Sequence, residues 1–185
     1  MKKRHLINLF LSGLITTQIV TVSDMVNASV VHITEGKEVL MAQNTNVLTQ
    51  EQMAEILSSI EQAEKGEDLA TLASFLSPYI LSTITIESGN TTVITSLKGR
   101  KEHEFYLTES FKRVKEREYI NSYASTKITE DGQMASVTRI RATNLTTEEG
   151  EKYLSVSTDK IHFALIDNQP KIINIESKGW LEQQL

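Results

Sequence analysis

The chain of 185 residues contains no cysteine. Disulfides, thiolate metal sites and cysteine nucleophiles are thereby excluded. Positive charge is also short: 19 Lys and Arg face 24 Asp and Glu, a net charge of −5. Setting aside Lys2, Lys3, Arg4 and Asp24 at the N-terminus leaves the remainder more acidic still. An acidic domain repels phosphate backbones, which argues against a nucleic-acid partner. There is no Gly-rich phosphate loop, no Gly-x-Ser-x-Gly and no basic stripe. Glu102, His103 and Glu104 lack the i, i+4 spacing of a helical metal site, so neither a metal nor another cofactor is expected. No repeat of solenoid period and no low-complexity tract is present.

What remains is ordinary for one globular domain, with 39% hydrophobic residues and 8 glycines. Residues 1–28 look like a signal peptide of bacterial type. Lys2, Lys3 and Arg4 precede an apolar stretch from Leu6 to Val22, and Val26-Asn27-Ala28 offers a peptidase site. That stretch carries Asn8, Ser12, Thr16, Thr17 and Gln18, which is polar and short for a spanning helix. The expectation is export to the periplasm or beyond, with cleavage after Ala28. Membrane attachment follows only if the segment is retained. Residues 29–48 have no clear period and read as a flexible linker, leaving 49–185 as the domain.

Thr49-Gln50-Glu51-Gln52 is a capping box, followed by Met53, Ile56, Leu57, Ile60 and Ala63 at helical spacing. Gly66 is a natural stop. Asp68 then caps a short second helix with Leu69, Leu72, Phe75 and Leu76 inward, ending at Pro78. Ile84 and Ile86 alternate with threonines before a Ser88-Gly89-Asn90 turn into Thr91–Leu97. Lys101 to Val114 predicts a third helix whose dense charges, His103 among them, face solvent. From Glu116 to Ser177 four β-segments follow, broken by Asp131-Gly132 and Asp167-Asn168-Gln169-Pro170. In the third of these, Leu154 and Val156 fall on even positions but Ile161, Phe163 and Leu165 on odd ones. A regular strand keeps only one set on each face, so a bulge near Ser157–Lys160 or apolar cover on both faces is expected.

This order resembles the nuclear transport factor two-like, or SnoaL-like, domains. The resemblance spans Thr49 to Trp180 and is carried by Phe75-Leu76-Ser77-Pro78, by the hairpin Glu130–Val137, and by the final Ile173–Trp180 strand and tail. Trp180 departs from the pattern by falling after that strand. The resemblance implies an α+β, cystatin-like cone: a curved antiparallel sheet wrapped around about three helices, with a pocket inside and a homodimer through the outer face. It names no single activity, because isomerases, dehydratases and binding domains share the fold.

The pocket candidates are Tyr106, Tyr119, Tyr123, Arg139 and His162. The tyrosines offer hydroxyls, although packing is their commoner use. Arg139 and Arg141 share a strand face and are suited to a carboxylate ligand, but outer-face pairing with Glu148, Glu149 or Glu151 is the plainer expectation. His162 points opposite to Ile161 and Phe163. No carboxylate stands out on an apolar strand face, where its pKa would rise for general base work; Asp159 and Asp167 fall at an expected bulge and a turn. The expectation is therefore a non-catalytic exported domain. It binds a small apolar ligand in a cavity of Ile, Leu, Val and Phe, or a protein partner. The alternative is an isomerase- or dehydratase-type enzyme working by general acid–base chemistry.

Overall fold

Helix α1 (Gln50–Lys65) begins where the capping residue stands: Thr49 is extended and its hydroxyl accepts from the amide of Gln52 at 3.2 Å. It buries Met53, Ile56, Leu57, Ile60 and Ala63, the apolar stripe that the spacing predicts. Gly66 caps its end in a right-handed conformation, and the left-handed position falls one residue later on Glu67, at φ 54. Asp68 starts α2 (Leu69–Phe75), accepting from the Thr71 amide at 3.0 Å. Thr49 and Asp68 each satisfy an amide that no intrahelical carbonyl can reach.

The computed structural model describes residues 47–184. The expected signal peptide and nearly all of the expected linker lie outside the described residues. Leu48 is already part of the core, and its amide donates to the Gly132 carbonyl at 2.7 Å. Among the described residues no helix is long and apolar enough to cross a membrane.

The remaining elements are β1 (Leu76–Ser88), β2 (Thr91–Lys98), α3 (Gly99–Arg113), β3 (Val114–Ile128), β4 (Met134–Thr147), β5 (Lys152–Ile166) and β6 (Gln169–Gln184). The three expected turns are present, with Gly89-Asn90, Asp131-Gly132 and Asp167-Asn168 falling between strands. The six strands form one curved, open sheet in the order β2-β1-β6-β5-β4-β3. Every pairing is antiparallel except β1 with β6, which is parallel. Trp180 lies within β6, which removes the one departure from the family pattern seen in the sequence.

Helices α1 and α2 cover one part of the concave face. Their apolar residues pack with Ile80, Ala135, Val137, Ile161, Phe163, Ile172 and Ile175. A second apolar cluster lies further along the strands, where Tyr106 of α3 meets Ile84, Ile86, Leu97, Val114, Leu145, Tyr153 and Leu181. The expected bulge near Ser157–Lys160 is absent: Ser157, Thr158, Asp159 and Lys160 pair in unbroken register with both neighbours. The register shift falls instead between His162 and Phe163, opposite Ile173 of β6. Parity in β5 is simple once seen. Tyr153, Ser157, Asp159, Ile161 and Phe163 are buried on the concave side, whereas Leu154 and Val156 are half-buried on the convex one.

Helix α3 is held to β1 by buried polar contacts. His103 is 0% exposed, not solvated as its charged neighbours suggested. Its Nδ1 lies 2.8 Å from the Gly99 carbonyl and its Nε2 lies 2.6 Å from the Ser82 hydroxyl. A carbonyl only accepts, so Nδ1 carries a proton; burial disfavours the charged ring, so Nε2 carries none and accepts from Ser82. His103 is therefore neutral, and Arg100 adds a second tie by donating to the Leu76 carbonyl at 3.2 Å from Nε.

Two outcomes follow for stability. Gly132 has φ +65, and an added Cβ would come within 2.6 Å of the Val47 Cβ. Gly132→Ala is expected to destabilise the fold by more than about 1 kcal/mol, read as a lower urea midpoint. Burial, the largest influence, lowers the His103 pKa from 6.5, against the opposing pull of the Gly99 carbonyl and Glu102. The unfolded chain then binds this proton at higher pH than the folded one. Its stabilising contribution is complete above pH 6.5 and is lost as pH falls through the lower folded value. Urea midpoints of wild type and His103→Gln should converge as the pH drops from 7 to 5.

Candidate functional site

Between the two apolar clusters the concave face turns polar. On β4 the inward row runs Ala135, Val137, Arg139, Arg141, Thr143, Leu145, so its charged and hydroxylic members separate two greasy ends. The adjacent strands match it. Register sets Arg139 beside Asp159 and Arg141 beside Ser157 on β5, Asp159 beside Ser177 on β6, and Arg141 beside Ser122 on β3. Partners directly across a ladder share a face, so these side chains form one belt. Helix α1 brings Glu64 to it and α3 brings Tyr106.

Asp159 is the centre of the belt, at 1% exposure. Its Oδ2 accepts from Arg139 through Nε at 3.2 Å and Nη2 at 3.0 Å, and from Arg141 Nη2 at 3.3 Å. Its Oδ1 accepts from the Ser177 hydroxyl at 2.6 Å. Both oxygens are thus engaged by charged or hydroxyl donors. Burial is the main influence lowering the Arg141 pKa, followed by repulsion from Arg139; the charges of Asp159, Glu64 and Tyr119 oppose both. Arg141 therefore sits among two acids, a second cation and a phenol.

Two hydroxyls in this region are buried without a hydrogen-bond partner among the described residues, those of Tyr106 and Ser122. Tyr106 is 7% exposed. Burial raises its pKa, and the negative charge of Asp159 raises it further, so the phenol stays protonated at any physiological pH. No group of acids and histidines among the described residues is arranged to hold a metal ion.

The sequence candidates are scattered by the fold. Tyr106, Tyr119 and Arg139 face the concave side, and the Tyr119 hydroxyl is buried. Tyr123 is 58% exposed on the convex side, across from Ile140. His162 is half-buried on that same side, across from Ser136 and Asn174. Arg139 and Arg141 do not pair outward with Glu148, Glu149 or Glu151; odd parity in β4 turns them inward, where both pair with Asp159. The expectation that no carboxylate lies on an inner strand face fails on Asp159, which shares its face with Ile161 and Phe163. The expected lining, mostly Ile, Leu, Val and Phe with one or two tyrosine hydroxyls, is corrected in one respect: the middle of the concave face also carries Arg139, Arg141 and Asp159.

Of the central residues, Asp159, Glu64 and Ser122 are not among the sequence candidates, and the first two had signals. Arg139 and Asp159 are equidistant from Glu149, the middle of the turn between β4 and β5, and so had to meet across a hairpin. Glu64 continues the Met53, Leu57, Ile60 stripe at the next helical step, an anomalous charge on a greasy face. Ser122 carried no signal, because the bulge at Ile120 resets the parity of β3.

No family model matches the chain, and no curated protein matches it. Solved structures do. An NTF2-like protein of unknown function from Pseudomonas putida KT2440 superposes with a TM-score of 0.54 at 8% identity, over 70% of this chain and 84% of that one. A type 2 hexachlorocyclohexane dehydrochlorinase, LinA, gives 0.55 at 12% identity, over 72% and 86%. The LinA-type3 dehydrochlorinase from Novosphingobium barchaimii LL02 gives 0.52 at 9% identity, over 71% and 87%. Identities this low speak to the fold, and they agree with the strand order and helix placement above. The chain has the NTF2-like, SnoaL-like fold: a curved six-stranded sheet with its helices on the concave side.

Proposed function

We propose that this is an exported, non-catalytic domain that binds a small, mainly apolar molecule inside the cone. One observation carries the preference for binding over turnover. Asp159, the inner-face strand carboxylate, is saturated by Arg139, Arg141 and Ser177. A general base needs a free lone pair within reach of the substrate proton, and both oxygens of this carboxylate are already taken by guanidinium and hydroxyl donors. His103 is no better placed, with both ring nitrogens engaged inside the α3–β1 contact. Apolar residues on either side of the belt supply the ligand-facing surface, and burial of such surface contributes about 25 cal/mol per Å².

The competing reading is an acid–base enzyme of the dehydratase kind. It is favoured by the Tyr106 hydroxyl, protonated, buried and within the field of Asp159, a geometry fit for donating a proton or hydrogen bond. Two proteins of the same fold, at identities of 12% and 9%, are named hexachlorocyclohexane dehydrochlorinases, which supports this reading. A thermal-shift screen of small apolar metabolites, with each hit then incubated and followed by mass spectrometry, separates the two. Stabilisation without consumption is expected. Consumption that disappears in Tyr106→Phe would establish the enzyme. Asp159→Asn, which leaves two buried arginines without their anion, is expected to cost about 3–5 kcal/mol of stability whichever reading holds.

The partner expected of the outer face is a second copy of the chain. Tyr123 and Ile140 face one another there at 58% and 48% exposure, and Ala142, Val156 and Trp180 form the next row. Such a continuous apolar surface marks an interface. Native mass spectrometry of the protein recovered from its source reads both this and the export proposal. A dimer of chains beginning at Ser29 is expected. A monomer would remove the dimer, and a chain still carrying Met1 would remove the cleavage.

A further inference from the structure

The belt leaves one polar demand open. Asp159, Ser177, Ser82 and His103 all find partners within the protein. The hydroxyls of Tyr106 and Ser122 do not find one among the described residues, although both residues are more than nine-tenths buried. An unsatisfied buried hydroxyl is costly, and a native fold retains one where something else completes it. These two flank the same ion pair. Ser122 is the cross-strand neighbour of Arg141, Arg141 donates to Asp159, and the charge of Asp159 acts on Tyr106.

We propose that Tyr106 and Ser122 form the polar end of the ligand site and select a small apolar molecule bearing a neutral oxygen acceptor, such as a ketone or lactone carbonyl. This rests on the reading of the cone as a binding site and adds the chemistry of what is bound. The phenol stays protonated and so donates, which calls for an acceptor. The charge of that acceptor follows from the belt. The positive Arg139 and Arg141 are matched by the negative Asp159 and Glu64. A carboxylate ligand would add an unmatched buried charge beside Asp159, whereas a neutral carbonyl leaves the balance intact. The apolar body of the ligand lies against the cluster that already holds the Tyr106 ring, which includes Ile84, Val114, Leu145 and Leu181.

The test uses titration calorimetry on the full chain with one-, two- and three-ring saturated ketones. Each ketone is compared with its hydrocarbon and its carboxylate analogue of the same skeleton. The best ketone is expected to bind about tenfold more tightly than either analogue. Tyr106→Phe and Ser122→Ala should each remove about that factor for the ketone and leave the hydrocarbon unchanged. Without ligand, both variants should melt at or above the wild-type temperature, because each deletes an unsatisfied hydroxyl. A lower melting temperature would show that the hydroxyl already has a partner and would overturn the proposal. Equal binding of ketone and hydrocarbon, or preference for the carboxylate, would overturn it while leaving the cone as a binding site. Failure of every skeleton to bind would remove the binding reading and this proposal together.

Discussion

The carboxylate of Asp159, holding two arginines in the middle of the concave face, is the constraint on which the rest of the structure depends. It sits where a uniform hydrophobic core would otherwise form, and it divides that core in two. The division has a price in desolvation, because buried ion pairs rarely stabilise a fold more than well-packed apolar residues would. What the network does supply is register. A slip of one residue between β4 and β5 would carry Arg139 and Arg141 to the convex face while Asp159 stayed inside without a cation. The three-way agreement of Arg139, Asp159 and Ser177 therefore pins β4, β5 and β6 to one another at a single point.

The helices add to this belt as much as they cover it. Helix α1 packs through its stripe but ends it with Glu64, and α3 contributes Tyr106 on one turn and His103 on the previous one. Arg117 links the same region to the helical hairpin, donating to Glu67 at 3.0 Å and to the Ser110 carbonyl at 3.0 Å while its guanidinium lies 5.5 Å from the Phe111 ring centroid. The concave side is consequently neither a greasy pocket nor a polar channel. It is two apolar zones joined by a charged waist.

Elements whose cues are local were legible in the sequence. The capping residues Thr49 and Asp68, the stripe of α1, the turns at Gly89 and Gly132 and the four-strand run after α3 all depend on neighbours within a few positions. Two kinds of feature escaped. The polar belt was obscured in β5, where Leu154 and Val156 on the convex face imitate a core strand and made the true inner row look irregular. His103 was obscured by its setting: six of its near neighbours in sequence are charged, yet helical geometry turns it alone toward Ser82. In both cases the deciding partner lies on another element, beyond what periodicity along one segment can report.

The parallel pairing of β1 with β6 places the last strand at the centre of the sheet, between the first strand and β5. Contacts there are distant in sequence; Lys171 reaches back 97 positions to donate to the Ser74 carbonyl. Before β6 exists, the chain holds two separate fragments: the hairpin of β1 and β2 with its helices, and the meander of β3 to β5. The meander's inner face meets α1 and α3, but no strand yet joins β1 to β5. The sheet is thus closed by β6, and a nascent chain stays open until that strand arrives.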